Sequence, residues 1–326
     1  MRPSLTATAG YPPQTIEKVE RLLEFLGEVS RHPYLGPRLR LHGGTALNVF
    51  HLSMPRLSVD ADLTYVGRVP RDEYLSERPV LERAVTELAE NLGYRVSTAD
   101  AFEHAGRTLK LLYRYGGEDD LIKVDLIYLN RAPLLEAESV TCTVCSPETT
   151  IPTLAFPELI AGKTKALFDR LVVRDLYDVY RVQLGGFVGA EGPEDVRLLE
   201  RRVRIYYASL SKPYPCPIDR SVVDKFADLE TEVRSQLYPL LRADDRPTLE
   251  DMMQTAREYV DQHVAPRDAE EIEYLKLLDA NEYVPQLMFS RWPDVVERAI
   301  VSPAAAWKVQ NLKKRPAPPA SDYPEW

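Results

Sequence analysis

Residues 39–62 read LRLHGGTALNVFHLSMPRLSVDAD. Leu39 and Leu41 alternate with polar residues as in a strand, so Gly43 and Gly44 predict a strand-to-helix turn. Backbone N–H groups exposed at such a turn, beside a helix N-terminus, can receive phosphate oxygens, and the Thr45 hydroxyl adds to that nest. The stretch from Ser58 to Val66 fits a second strand. Its period of two puts Asp60 and Asp62 on one face and Val59 and Leu63 on the other. Two neighbouring carboxylates repel unless a cation lies between them. Hard oxygen ligands of this kind suit Mg²⁺, or Mn²⁺, carried in with a nucleoside triphosphate.

Each part alone has a plainer explanation: two glycines make a turn, and an Asp-x-Asp strand is commonly a solvated face. The combined order is strand, Gly-Gly-Thr, helix, then Asp-x-Asp on a strand. That is the layout of a nucleotidyl-transfer site, with Gly43, Gly44 and Thr45 on the triphosphate and Asp60 and Asp62 on the metal.

The 326 residues, 44% hydrophobic, suffice for two domains with real cores. No apolar run reaches membrane-spanning length and the N-terminus lacks a signal-peptide core, so a cytoplasmic protein without membrane contact is expected. Three cysteines, with only Cys142 and Cys145 close together, supply neither a disulfide framework nor a four-ligand zinc site. A net charge of −9 argues against a generic nucleic-acid coat. It leaves room for a local basic groove, for which the clusters Arg201, Arg202, Arg204 and Lys313, Lys314, Arg315 are candidates beside ordinary solvated surface.

Helical spacing over residues 14–30 and 71–91 brackets the first two strands, and four more strands are expected at 94–97, 108–115, 121–129 and 139–144. Gly116 and Gly117 separate two of them as a hairpin. From about Ile151 only helical patterns follow, near 157–170, 174–184, 194–209, 219–241, 248–263, 267–279 and 293–300. The expected fold class is therefore α+β: a mixed-sheet domain over 1–150, a helical domain over 151–313 and a proline-rich tail over 314–326.

Asp125 lies on a strand face with Lys123, Ile127 and Leu129, where partial shielding from water demands a partner or a cation. It is the candidate third carboxylate, as metal ligand or as proton acceptor, and a simple pair with Lys123 is the alternative. Further on, Lys163, Leu167, Arg170 and Arg174 fall at helical offsets, a basic ridge if one helix runs that far. Asp175 and Asp178 sit three apart on the next helix. Taken alone, Lys163 with one of these acids reads as a structural salt bridge.

Together, Gly43-Gly44-Thr45, Asp60-x-Asp62, Lys163 in Glu-Leu-Ile-Ala-x-Lys and the run from Arg174 to Asp178 resemble the AbiEii/MenT family of nucleotidyltransferase toxins. The likeness covers roughly residues 38–184. It implies a polymerase-β-like nucleotidyltransferase domain followed by an all-helical C-terminal domain, in the toxin of a toxin–antitoxin or phage-defence pair. The implied reaction moves a nucleotide, often a pyrimidine, from an NTP to the 3′ end of tRNA and blocks aminoacylation, with a cognate antitoxin as partner. By resemblance Asp60 and Asp62 match the metal-binding acids, Lys163 the essential lysine, Asp178 the later essential acid and Asp125 the third acid. Lys163, with Arg56, would neutralise the leaving phosphates, and Arg170, Arg174, Arg201, Arg202 and Arg204 would form the RNA footprint. A protein or small-molecule acceptor, or a catalytically silent nucleotide-binding protein, are the alternatives.

Overall fold

Gly116 and Gly117 have φ of +57° and +93°, so both central residues of a two-residue turn are left-handed and Tyr115 pairs with Glu118 across it. That is the turn whose twist matches antiparallel strands, and it joins the two longest strands of the protein. The computed structural model describes residues 4–5, 10–67, 71–98, 106–142, 145–146, 149–188 and 193–314. The expected tail beyond Lys314 and Arg315 of the basic cluster lie outside the described residues.

The strands, in chain order, are β1 (Ser4–Leu5), β2 (Leu39–His42), β3 (Asp60–Tyr65), β4 (Arg95–Thr98), β5 (Gly106–Tyr115), β6 (Glu118–Ile127), β7 (Glu138–Cys142), β8 (Cys145–Ser146) and β9 (Thr149–Thr153). Seven of them form one mixed sheet in the order β4-β5-β6-β3-β2-β9-β7, while β1 pairs with β8. The central ladders matter most. β3 runs parallel to β6 and antiparallel to β2, which brings the two chain segments bearing the acids side by side.

Helices α1 (Pro13–Arg31) and α3 (Arg71–Asn91) cover one face of this sheet. Val19, Leu22, Leu26, Leu81 and Val85 pack in one core with Ala61, Leu63 and Val124. Burying the odd-numbered face of β3 leaves Asp60 and Asp62 on the other. The same alternation buries Ile122, Val124 and Leu126 of β6 and leaves Lys123 and Asp125 opposite.

Besides the short β1 and β8, which the sequence reading does not include, β9 departs from expectation. The boundary expected after residue 150 falls inside β9, which pairs with β2 and β7 and completes the sheet. Pro152 masks it in sequence. Its missing N–H is tolerated because the ladder to β2 is short, with Leu41 opposite Thr153 and the Leu154 N–H donating to Leu41.

The chain divides into two compact units, Met1–Leu159 with Tyr238–Arg246, and Ile160–Leu237 with Pro247–Trp326. In the first, the returning segment is tied in by the Leu57 N–H donating to the Leu240 carbonyl and by the Arg242 guanidinium over the Tyr11 ring. This segment breaks the helix expected over 219–241. The region instead comprises α7 (Ser221–Asp224), α8 (Glu230–Glu232), a π turn over Val233–Leu237 and a 3-10 turn over Tyr238–Leu240.

Every described element of the second unit is helical: the bulk of α4 (Phe156–Asp169), α5 (Val173–Leu184), α6 (Glu194–Ser209), α9 (Leu249–His263), α10 (Ala269–Asp279), α11 (Gln286–Phe289), α12 (Pro293–Ile300) and α13 (Pro303–Leu312). α9 and α10 start at capping boxes, Thr248 with Asp251 and Asp268 with Glu271, which satisfy two otherwise orphaned N–H groups at each start. Among the described residues no helix is long and apolar enough to cross a membrane.

Candidate active site

The turn after β2 begins α2 (Gly43–Thr45), which passes directly into a π-helical stretch over Ala46–His51. Gly43 has φ +72°, and a Cβ built there would lie 2.0 Å from Oδ2 of Asp62. Conformation and space both require glycine. A Cβ on Gly44 would approach Arg56 Nη2 to 2.8 Å and Ser58 Oγ to 3.0 Å, so the buried Arg56 guanidinium lies against the turn. Arg56 also donates to the Leu57 carbonyl at 3.0 Å.

Thr45 is placed otherwise than expected. Its side chain is wholly buried, donating to the Asp60 carbonyl at 2.5 Å and lying 2.9 Å from Ser58 Oγ. A hydroxyl spent inside the protein does not line a phosphate nest; it ties the glycine turn to the start of β3. Thr45 is thus a positioning residue for Asp60.

The β3–β6 register pairs Asp60 with Lys123 and Asp62 with Asp125. Asp125 receives the Lys123 ammonium on Oδ2 at 2.5 Å and the Thr108 hydroxyl on Oδ1 at 2.5 Å. Burial works against the charged form of Lys123, but Asp125, with Asp60 and Asp62 further off, outweighs it and raises its pKa. Among the described residues no three His, Cys, Asp or Glu side chains converge to hold a metal, because Asp125 is turned to Lys123 and Thr108. The donor set nonetheless fits a hard divalent ion. Mg²⁺ is commonly held by one or two carboxylates with substrate phosphates completing the shell, and Asp60 and Asp62 beside a glycine turn offer that arrangement.

In the second unit Lys163, on α4, meets the first turns of α5. Its ammonium lies 3.0 Å from Asp175 Oδ1 and 2.7 Å from Asp178 Oδ2, with both acids almost entirely buried. Arg170 adds a contact of 2.8 Å from Nε to the other oxygen of Asp175. Burial would raise the pKa of Asp175, but Lys163 and Arg170 prevail and hold it below the usual carboxylate range. An ion pair of Lys163 with one of these acids is the sequence expectation; the structure engages both, which their spacing of three allows. The basic ridge does not form as one helix, because α4 ends at Asp169 and Arg174 belongs to α5.

Three arginines of the expected RNA footprint are engaged by the protein's own acids and carbonyls. Arg202 is 2% and Arg204 1% exposed. Arg201 lies 2.7 Å from Glu271, Arg202 binds Asp268, Glu270 and the Met288 carbonyl, and Arg204 donates to the His263 carbonyl. These side chains bind the helices of the second unit to one another. Buried guanidinium groups already matched by acids have no counterions to exchange for phosphates. Arg170, with its side chain 60% exposed, keeps the most surface of the five, while Arg174 and Arg201 are partly buried.

This geometry meets independent comparisons. Residues 24–273 match the family described as nucleotidyl transferase AbiEii toxin, type IV toxin–antitoxin system. The chain belongs to this family, and so to the nucleotidyltransferase toxins. Among solved structures it is similar to MenT4, the nucleotidyltransferase toxin Rv2826c of Mycobacterium tuberculosis H37Rv. That match has 17% identity and a TM-score of 0.54, over 88% of this chain and 92% of that one. JHP933 of Helicobacter pylori aligns at 15% identity with a TM-score of 0.48, over 83% of this chain and 98% of that one. No curated protein matches the sequence. The fold is a mixed α+β nucleotidyltransferase fold built on the seven-stranded sheet.

Proposed function

We propose that this toxin transfers a nucleotide, a pyrimidine, from an NTP to the 3′ end of tRNA, stopping aminoacylation and translation, with a cognate antitoxin restraining it in the cytoplasm. The observation that carries the chemistry is the fit of Gly43 against Asp62, which joins a backbone phosphate cradle to the Asp60–Asp62 face. The backbone N–H groups of Gly43 and Gly44 receive the triphosphate, with Arg56 behind the turn. Asp60 and Asp62 would hold Mg²⁺ or Mn²⁺, which would offset charge on the phosphate oxygens. Asp125, beside Asp62, is the third carboxylate that would hold the metal, and the proton of the attacking 3′-hydroxyl passes to water as the α–β phosphoanhydride bond breaks and pyrophosphate departs. Lys163 keeps the essential-lysine part that its motif carries, with Asp175 and Asp178 orienting its ammonium.

The burial of Arg202 and Arg204, and the pairing of Arg201 with Glu271, weigh toward a second reading, in which the acceptor is a hydroxyl on a protein or small molecule. Incubation of purified protein with each labelled NTP, Mg²⁺ and either total RNA or total protein separates the two. Label in a tRNA-sized band, strongest with CTP or UTP, supports the first reading. Label in protein alone, or only in a small-molecule fraction, replaces it with the second.

A further inference from the structure

The register places Lys123 directly opposite Asp60, and its ammonium is bonded to the carboxylate beside Asp62. From these placements we infer that Lys123 is an internal occupant of the acidic site, which a divalent cation must displace from Asp125. The inference rests on the metal-site reading above and deepens it. Asp62 and Asp125 are register partners, so a cation bound at Asp62 draws on the same carboxylate that Lys123 now holds. The two arrangements exclude each other at Oδ2 of Asp125.

The exchange is physically cheap on the lysine side. The Lys123 side chain is 45% exposed against 21% for Asp125, so the ammonium can leave the carboxylate for water, or for the phosphates of an arriving nucleotide, while its stem keeps its packing. Thr108 is the fixed half of the arrangement. Its buried hydroxyl holds Oδ1 of Asp125 while Oδ2 changes partner. In the absence of metal the ammonium offsets the mutual repulsion of three acids, which keeps them assembled; a free ion then has to compete with it, whereas an ion arriving with a triphosphate brings a new partner for the lysine.

The test is Mn²⁺ binding to the nucleotide-free full chain, followed by electron paramagnetic resonance, for wild type, Lys123→Met and Lys110→Gln. Lys110 is the register partner of Lys123 on β5, so its removal deletes a like charge from the same region without touching Asp125. Lys123→Met should bind Mn²⁺ roughly fivefold tighter, the scale of one partly exposed ion pair that no longer has to be broken. Lys110→Gln should change the affinity by less than about twofold, as expected for a more distant, screened charge. A second readout is thermal: Mn²⁺ should raise the Tm of Lys123→Met more than that of wild type, and Lys123→Gln should behave as Lys123→Met. Equal affinity in wild type and Lys123→Met, or an equal gain in the Lys110 variant, overturns the displacement while leaving the metal site standing. Mn²⁺ binding that survives Asp60→Asn with Asp62→Asn overturns the metal site itself, and the displacement with it.

Discussion

Gly43 and Asp62 fit each other with no room for a methyl group: a Cβ on the glycine would fall 2.0 Å from the carboxylate oxygen. The turn and the acid therefore form one unit, and each can be tested through the other. Gly43→Ala has to adopt a left-handed φ of +72° and displace Asp62 as well. A stability loss of about 1–3 kcal/mol is expected, with nucleotidyl transfer lost in the fraction that stays folded. Urea melts and label transfer from the same preparation check it; transfer at the wild-type rate would show that Asp62 need not sit where it does.

Asp60→Asn and Asp62→Asn should each reduce transfer on the order of 100-fold or more, because each withdraws a charged ligand from the reacting phosphates. Neither should lower the Tm, since each relieves repulsion between half-buried like charges. Turnover near wild type at saturating Mg²⁺ would remove these acids from the chemistry.

Lys163→Ala removes the ammonium shared by two buried carboxylates, and a loss of about 3–5 kcal/mol in denaturant unfolding is expected. Arg170→Gln removes a largely exposed partner of Asp175 and should cost under about 1 kcal/mol. The contrast is the measurement. If both variants lose the same small amount, the pocket around Asp175 and Asp178 is far wetter than the geometry implies.

Arg202→Gln should destabilise the second unit while leaving the salt dependence of RNA labelling unchanged in the folded fraction. Its guanidinium is matched internally by Asp268, Glu270 and the Met288 carbonyl. A shallower salt slope would restore Arg202 to the RNA footprint.

Acid sensitivity follows from two histidines. Burial lowers His51 to about 4, and burial, helped by Arg204, Arg267 and Arg201, lowers His263 to about 4. Both are neutral in the folded protein at pH 7. The unfolded chain takes up their protons near pH 6.5 and the folded chain does not, so stability falls as pH drops from about 6.5 toward 4. His51→Phe preserves a ring against Phe156, stacked at 4.9 Å, but removes one titration. Its urea midpoint should therefore depend less on pH between 6.5 and 5; an unchanged slope would mean that His51 protonates freely in the native state.

Local chemistry made part of this architecture readable in advance. Gly43, Gly44, Asp60 and Asp62 were legible because turn geometry and a period of two are written within a few residues of each other. The Gly116–Gly117 hairpin was legible for the same reason. β9 was not, since Pro152 spoils the strand pattern and its pairing is with β2 and β7, distant or weakly patterned segments. The fate of Arg201, Arg202 and Arg204 was equally hidden. Three arginines in one helix look the same in sequence whether they face water or, as Arg201 and Arg202 do, the acids at the start of α10 and, as Arg204 does, the His263 carbonyl. Thr45 was misjudged because a hydroxyl beside a glycine turn has two possible partners, phosphate or backbone, and only the fold decides between them.

The return of Tyr238–Arg246 to the first unit bears on how this toxin is born. Leu57 and Tyr11 wait for Leu240 and Arg242, which are synthesised only after the helices from α5 to α8 have emerged. At about 5–20 residues per second, several seconds separate completion of the sheet from arrival of the segment that ties it. A nascent or prematurely terminated chain ending before residue 238 therefore carries the full acidic motif on an unfinished support, so a truncated gene product should be a poor poison even though every residue of the motif is present.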